Sequence, residues 1–322
     1  MYKIFIDGQA GTTGLQIHQR LRDRTDIEIL QISAEQRKDV DAKASIIDAA
    51  DVVILCLPDE AALETVALAE TMDTRFIDAS TAHRTNPDWV YGLAELNKDQ
   101  RTRIIDARLV TNPGCYPTGF LLAVMPLVEQ SLLKPSSLIT ISALSGYSGG
   151  GRQMMEKYKQ QEADSNECPA NARLWHSRPY ALNLAHKHIP EMQHYAGLDS
   201  APLFLPSVGH FPQGMLVSTG LFKEFFTTAI KPHQVFDVLD ARYKDEPCIQ
   251  VYGPDDRTQY EDGFLHPEAN NGTNRLDIFV SGHDEQILLV SRLDNLGKGA
   301  AGAAIQNLNL MLGAPELQGL IT

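Results

Sequence analysis

Along the first third of the chain, short apolar runs suited to strands alternate with stretches whose apolar residues recur at helical spacing, as a parallel sheet with crossover helices requires. Lys3-Ile4-Phe5-Ile6 predicts a first strand, and Leu15-Gln16-Ile17-His18-Gln19-Arg20-Leu21 a helix after it. Ile27 to Ile32 predicts a second strand, and Ala50 to Pro58 a third whose nearly continuous apolar character suits a strand covered on both faces. Arg75-Phe76-Ile77-Asp78-Ala79 reads as a further strand, with Ser80-Thr81-Ala82-His83-Arg84 at its carboxyl end, where ligands of open parallel sheets collect. From about Leu138 the pattern changes to strands with longer connections, among them Leu216–Phe222, Leu276–Val280 and Gln286–Val290. Small and apolar residues at helical spacing return from Lys298 to Leu312.

Between the first strand and helix lies Gly8-Gln9-Ala10-Gly11-Thr12-Thr13-Gly14. Strand, glycine loop and helix together make a dinucleotide-binding arrangement, in which bare backbone approaches a pyrophosphate and the helix N-terminus faces its charge. The spacing departs from G-x-G-x-x-G, because Gln9 stands where the second glycine belongs. Gly8, Gly11, Thr12, Thr13 and Gly14 are the candidate cofactor contacts. The second strand ends in Ser33-Ala34-Glu35-Gln36-Arg37-Lys38. A hydroxyl followed by two cations suits a ribose 2′-phosphate, so Ser33, Arg37 and Lys38 favour NADP, while Glu35 keeps NAD open. The fold class expected is α/β: a Rossmann-like, doubly wound parallel sheet, joined to an α+β domain with a mostly antiparallel sheet.

Composition narrows the function classes. The chain has 322 residues, enough for two domains, and its 43% hydrophobic and 21% charged content suits a globular enzyme. A net charge of −13 argues against a nucleic-acid partner. No segment is apolar enough to cross a bilayer, and the start lacks the regions of a signal peptide, so a cytoplasmic location is expected. Cys56, Cys115, Cys168 and Cys248 are widely scattered, which fits separate thiols in a reducing compartment. The scattered histidines show no metal-ligand spacing, so no metal is expected.

Candidate chemistry concentrates at Asn112-Pro113-Gly114-Cys115-Tyr116-Pro117-Thr118-Gly119, a Pro/Gly turn that opens an apolar helix. A thiol held there faces unpaired backbone N–H groups and the positive end of the helix dipole, which favour the thiolate that attacks carbonyl carbon. The competing reading is a buried structural cysteine. Ser145-Gly146-Tyr147-Ser148-Gly149-Gly150-Gly151-Arg152 has the composition to wrap an anion in backbone N–H groups and clamp it with a guanidinium. His186 and His188 are the candidate acid/base pair. Standing at i and i+2, they point the same way only if their segment is not helical, which Pro190 supports by biasing Ile189 away from helical angles. His210 is the alternative base.

These blocks, in order, carry a resemblance to N-acetyl-gamma-glutamyl-phosphate reductases, in the shorter form of that family. The glycine loop, Asp78–Arg84, Tyr91-Gly92-Leu93-Ala94-Glu95-Leu96, Asn112–Thr118, Ser145–Arg152, His186-Lys187-His188-Ile189-Pro190-Glu191 and Asp294-Asn295-Leu296-Gly297-Lys298-Gly299-Ala300-Ala301-Gly302 span the chain from end to end. The resemblance implies NADPH-dependent reduction of an acyl phosphate to an aldehyde in arginine biosynthesis, with Cys115 as nucleophile, through a cysteinyl thioester. It also implies a dinucleotide-binding domain over 1–115 completed by 296–322, and a catalytic and oligomerisation domain over 116–295. Asn295 and Lys298 would lie near the nicotinamide, and a homo-oligomer, dimer or tetramer, is the family expectation. Arg84 and Arg152 are the expected contacts for substrate phosphate or carboxylate, with Ser80, Glu95 and Ser145 beside them. Longer members of the family have His-Arg-His where this chain has His186-Lys187-His188, a change that keeps a cation but loses a bidentate fork. It leaves open which histidine works. Aspartate-semialdehyde dehydrogenase, with the same acyl-phosphate chemistry, is the nearer competing reading; an NADP-binding redox sensor with Cys115 as its switch is the other.

Overall fold

The computed structural model describes residues 1–33, 35–37, 39–69, 73–167 and 175–322. The chain divides into two units, one made of Met1–Gly114 with Ala300–Ile321, the other of Cys115–Gly299.

In the first unit, strands β1 (Tyr2–Asp7), β2 (Ile27–Leu30), β3 (Val52–Leu55), β4 (Arg75–Asp78), β5 (Val90–Tyr91) and β6 (Leu109–Thr111) form one sheet in the order β2-β1-β3-β4-β6-β5. Every pairing is parallel. The strand order reverses beside β1, and a sheet of this kind opens a ligand crevice at the carboxyl ends on either side of that reversal. Alternation along the strands feeds two cores. Ile4, Ile6, Val52 and Ile54 pack toward Ile17 and Leu21 of α1 (Thr12–Leu21). Phe5, Val53 and Leu55 pack toward Ile47 of α2 (Val40–Asp48) and Ala62 of α3 (Asp59–Ala67). That two-sided burial is why β3 reads as an unbroken apolar run. β2 ends at Leu30, two residues before the apolar pattern suggests, because its pairing with β1 stops at Leu30. The short α4 (Gln100–Asp106) precedes β6.

The second unit begins with α5 (Cys115–Glu129), buried continuously from Tyr116 to Leu127. Its sheet takes β7 (Thr140–Ser145), β8 (Arg178–Pro179), β9 (Leu203–Val208), β10 (Met215–Phe222) and β11 (Ile249–Tyr252), skips the small hairpin of β12 (Tyr260–Glu261) and β13 (Phe264–Leu265), and adds β14 (Leu276–His283) and β15 (Gln286–Leu293). The order is β11-β14-β15-β10-β7-β9-β8, antiparallel except at β11-β14 and β7-β9. Helices α6 (Gly151–Glu167), α7 (Ile189–Ala196) and α8 (Pro232–Tyr243) complete the unit. One sheet face is buried through residues such as Ile141, Phe204, Val217 and Leu289. The opposite face leaves Leu203, Leu205, Phe222 and Leu288 exposed.

The chain then returns through α9 (Gly302–Leu312) to the first unit. Every residue of α9 is buried, polar ones included, so each amide needs a partner. Gln306 donates to Glu95 at 2.8 Å, Asn307 to the Gly92 carbonyl at 2.8 Å, and Asn309 to the carbonyls of Glu316 and Gln318. Among the described residues no helix is long and apolar enough to cross a membrane.

Candidate functional site

The glycine loop has a specific backbone reason for its spacing. Gly8 adopts φ +89°, and a Cβ there would stand 2.3 Å from the Cys56 carbonyl oxygen at the end of β3. Only glycine fits. Gly14 lets α1 close onto the loop, since its Cβ would meet the Gly8 oxygen at 2.5 Å. Gly11 caps α1 at φ −75°, a conformation open to any residue. The loop thus places its glycines where the backbone closes on itself, so Gln9 violates nothing. Thr12 and Thr13 form the first turn of α1. Past β2, Ser33 Oγ accepts from the Gln36 backbone N–H at 3.3 Å, and Arg37 is exposed in the same turn. Glu35 shares that turn, its carboxyl held below the usual range by its own backbone N–H and then by Ser33. Lys38 lies outside the described residues.

At the carboxyl end of β4, buried Asp78 accepts from Ser80 N–H (2.8 Å) and Ser80 Oγ (2.7 Å), and its Oδ2 stands 2.6 Å from His83 Nδ1. His83 stacks on Trp89 with ring centroids 4.0 Å apart. Arg84 is buried and directs Nε to the Asn112 carbonyl and Nη2 to that of Ala79. Its guanidinium therefore grips the chain that leads to Cys115. Glu95 lies in the buried amide network of α9.

In the second unit, Cys115 is the first residue of α5. The next residue, Tyr116, packs edge-on against both candidate histidines, at 5.7 Å from His186 and 5.8 Å from His188. Its hydroxyl shares a 3.0 Å hydrogen bond with Tyr180 and another with Ser145. Burial, first of all, pushes the Tyr116 phenol well above its ordinary range, and the Tyr180 phenol up to about 12; the charge of Cys115 adds to both. The His188 backbone N–H donates to His186 Nδ1 at 3.1 Å, which leaves the proton of a neutral His186 ring on Nε2. That nitrogen lies 3.5 Å from the Tyr180 hydroxyl. His186 is partly exposed and His188 buried. The two rings lie 4.8 Å apart. Ile189 is nevertheless the first residue of α7, contrary to the effect expected of Pro190. A proline in the first helical turn loses no intrahelical bond, and its preset φ suits the start of a helix. The histidines share a side because both precede α7, with His188 at its N-cap.

The remaining residues divide. Asn295 is buried, its Oδ1 accepting from Gly214 N–H (2.8 Å) and its Nδ2 donating to Ser148 Oγ (2.9 Å), so it laces three loops together. Lys298 is buried on the same segment. Arg152, in the first turn of α6, turns to solvent and pairs with Glu156 at 2.8 Å. His210 lies against Tyr147 and Tyr158.

Comparison with known proteins fits this geometry. N-acetyl-gamma-glutamyl-phosphate reductase 2 of Nostoc sp. is 48% identical to the chain over 99% of both, and the N-acetyl-gamma-glutamyl-phosphate reductase of Brucella anthropi is 45% identical over 97% of the chain and 98% of the relative. The chain belongs to the N-acetyl-gamma-glutamyl-phosphate reductase family. Two family profiles agree with the division of this reductase-family chain: "Semialdehyde dehydrogenase, NAD binding domain" matches 3–104 and "Semialdehyde dehydrogenase, dimerisation domain" matches 115–295. The first unit thus carries the nicotinamide-dinucleotide-binding domain of the family. The fold is shared with aspartate semialdehyde dehydrogenase II of Vibrio cholerae (TM-score 0.73, 16% identity, 97% of this chain and 98% of that one). It is also shared with the aspartate semialdehyde dehydrogenase of Candida albicans solved with NADP (TM-score 0.67, 14% identity, 97% and 99%). Tyr180 in the second unit and the Asp78–His83 pair in the first are side chains whose polar contacts the sequence motifs do not single out. A tyrosine six residues before a histidine pair carries no periodic signal; only the return of β8 beside β9 brings it to Tyr116.

Proposed function

We propose that the chain reduces N-acetyl-L-glutamyl 5-phosphate to N-acetyl-L-glutamate 5-semialdehyde with NADPH, releasing phosphate, as a step of arginine biosynthesis. The observation that carries this reading is Cys115 at the mouth of α5, with His186 and Tyr180 gathered around Tyr116, the residue that follows it. The α5 N-terminus favours an anionic sulfur. Attack of that sulfur on the γ-carbonyl forms a C–S bond, breaks the C–O bond to phosphorus and leaves a thioester. Gly8, Gly11 and Gly14, the first turn of α1 and the Ser33–Arg37 turn fit a dinucleotide, because glycine is obligatory where the loop closes and the helix end faces the pyrophosphate. When bound, the reduced nicotinamide supplies the hydride that converts the thioester carbon to the aldehyde level.

In that step the thioester oxygen becomes an alkoxide, and its collapse restores the carbonyl and the Cys115 thiolate. His186, with its proton fixed on Nε2, turns that N–H from the Tyr180 hydroxyl, 3.5 Å away, to donate to that oxygen. His188 supports it through its backbone. Ser33 and Arg37 favour NADP over NAD. The exposed apolar face of the second sheet supports homo-oligomerisation, and the widely separated thiols Cys56, Cys115 and Cys248 suit a reducing cytoplasm.

The test runs the reaction backward with N-acetylglutamate semialdehyde, phosphate and NADP, following absorbance of the reduced nicotinamide. Turnover should disappear in Cys115→Ala and be far weaker with aspartate semialdehyde or NAD. Full activity of Cys115→Ala, or preference for aspartate semialdehyde, overturns the reading.

A further inference from the structure

The segment Asp294–Gly299 is tied down more heavily than a connection between β15 and α9 requires. Asp294 is fully buried, and its carboxylate accepts three N–H groups: Leu296 on Oδ1 (2.8 Å), and Gly272 (2.8 Å) and the Gln213 side chain (2.5 Å) on Oδ2. Its carbonyl accepts from Gly299 N–H at 3.0 Å. Gly297 to Ala301 is wound as a π-helix, an irregularity concentrated at functional sites. The end of the segment lies against the nucleophile. A Cβ on Gly299 would stand 2.7 Å from Cys115 Cβ and 3.2 Å from its Cα, with the Asp294 carbonyl on the other side at 3.2 Å. No side chain fits in that gap. The Asp294 carboxylate thereby sets how closely backbone presses on the residue that bears the reacting sulfur.

We propose that Asp294 is a positioning residue for Cys115, acting through the Gly299 backbone, with Gln213 as its brace. The inference rests on Cys115 being the nucleophile of the proposed reaction. Asparagine at 294 keeps the shape but turns an N–H donor toward a donor, so the segment loosens. Alanine at 299 displaces Cys115 directly.

The experiment measures kcat, both KM values and, without substrate or cofactor, the rate and pH dependence of Cys115 alkylation by iodoacetamide, read by intact mass. Gly299→Ala should lower kcat on the order of 100-fold, the scale of a misplacement of about 1 Å. Asp294→Asn should lower it about tenfold and Gln213→Met about threefold, each with KM values near wild type, and alkylation should slow in the same order. A purely structural role would lower the melting temperature and leave kcat and alkylation untouched. Wild-type values for both in folded Asp294→Asn and Gln213→Met overturn the proposal, even if Gly299→Ala does not fold. Alkylation needs no substrate, so a chain inactive on N-acetylglutamate semialdehyde would count against the reaction and leave the positioning result standing.

Discussion

Replacing Gly8 with alanine tests whether the loop after β1 is a cofactor cradle built by backbone closure. Two effects add. Holding an L-residue in the left-handed region costs roughly 1–2 kcal/mol. The new Cβ, 2.3 Å from the Cys56 oxygen, lies about 0.7 Å inside the 3.0 Å that real Cβ contacts respect, and the opposing atom is backbone just past the end of the buried strand β3. Overpacking of that kind costs about 1–3 kcal/mol. The total, roughly 2–5 kcal/mol, corresponds to a fall of roughly 4–20 °C in melting temperature for a chain of this size. Gly11→Ala is the contrast: its φ is ordinary and its Cβ meets nothing closer than 3.3 Å, so the apo protein should lose about 1 kcal/mol or less, chiefly from the cap. It should still weaken NADPH, whose phosphate needs the bare backbone. Thermal melts without cofactor and NADPH fluorescence titrations separate the two. If Gly8→Ala melts with the wild type, or Gly11→Ala falls as far as Gly8→Ala, the reasoning is wrong.

Other outcomes follow from single interactions. Asp277, fully buried, holds Arg292 through Nε (3.0 Å) and Nη2 (2.6 Å), so Asp277→Asn should destabilise by about 3–5 kcal/mol in urea melts by stranding a buried guanidinium. The Tyr180 phenol, raised to about 12 by burial while the unfolded chain ionises near 10, contributes stability that is present below about pH 10 and lost as pH climbs to about 12; Tyr180→Phe should flatten that decline in chemical denaturation. Burial, then the charges of Asp78 and Asp7, push the Cys56 thiol up to about 12, so iodoacetamide at pH 8 should label Cys115 and spare Cys56 in peptide maps. Arg84→Lys cannot reach both the Asn112 and Ala79 carbonyls, and should cost about 1–2 kcal/mol of stability in the absence of any ligand, a loss that a purely anion-binding arginine would not show.

Much of the first sheet is legible because its rules are local: Val52 to Leu55 is apolar at each position because each position is buried, and the glycines fall where strand turns into helix. The ends are less legible. Ile189 reads as extended before Pro190 because the rule concerns the residue before proline in general, whereas a first-turn proline tolerates a helical predecessor. Arg84 is an expected substrate contact and Asn295, through the family resemblance, an expected neighbour of the nicotinamide; their polar atoms also meet the Asn112 carbonyl and the Gly214 amide, partners 28 and 81 residues away. No periodicity encodes such partners; they are set by where loops meet. Asp294 stands in a recognisable block, but its partners are hidden for the same reason, since Gln213 and Gly272 reach it from distant turns.

The contact of Gly299 with Cys115 bears on how such a protein is assembled. Residues 115–299 enter and leave the nucleotide-binding fold at two peptides whose flanking residues touch. A block of chain whose two ends coincide can be excised, recircularised or exchanged among hosts without spanning a gap. Joining Gly299 to Cys115 through a short linker is therefore a route to the isolated block, with its sulfur beside the seam.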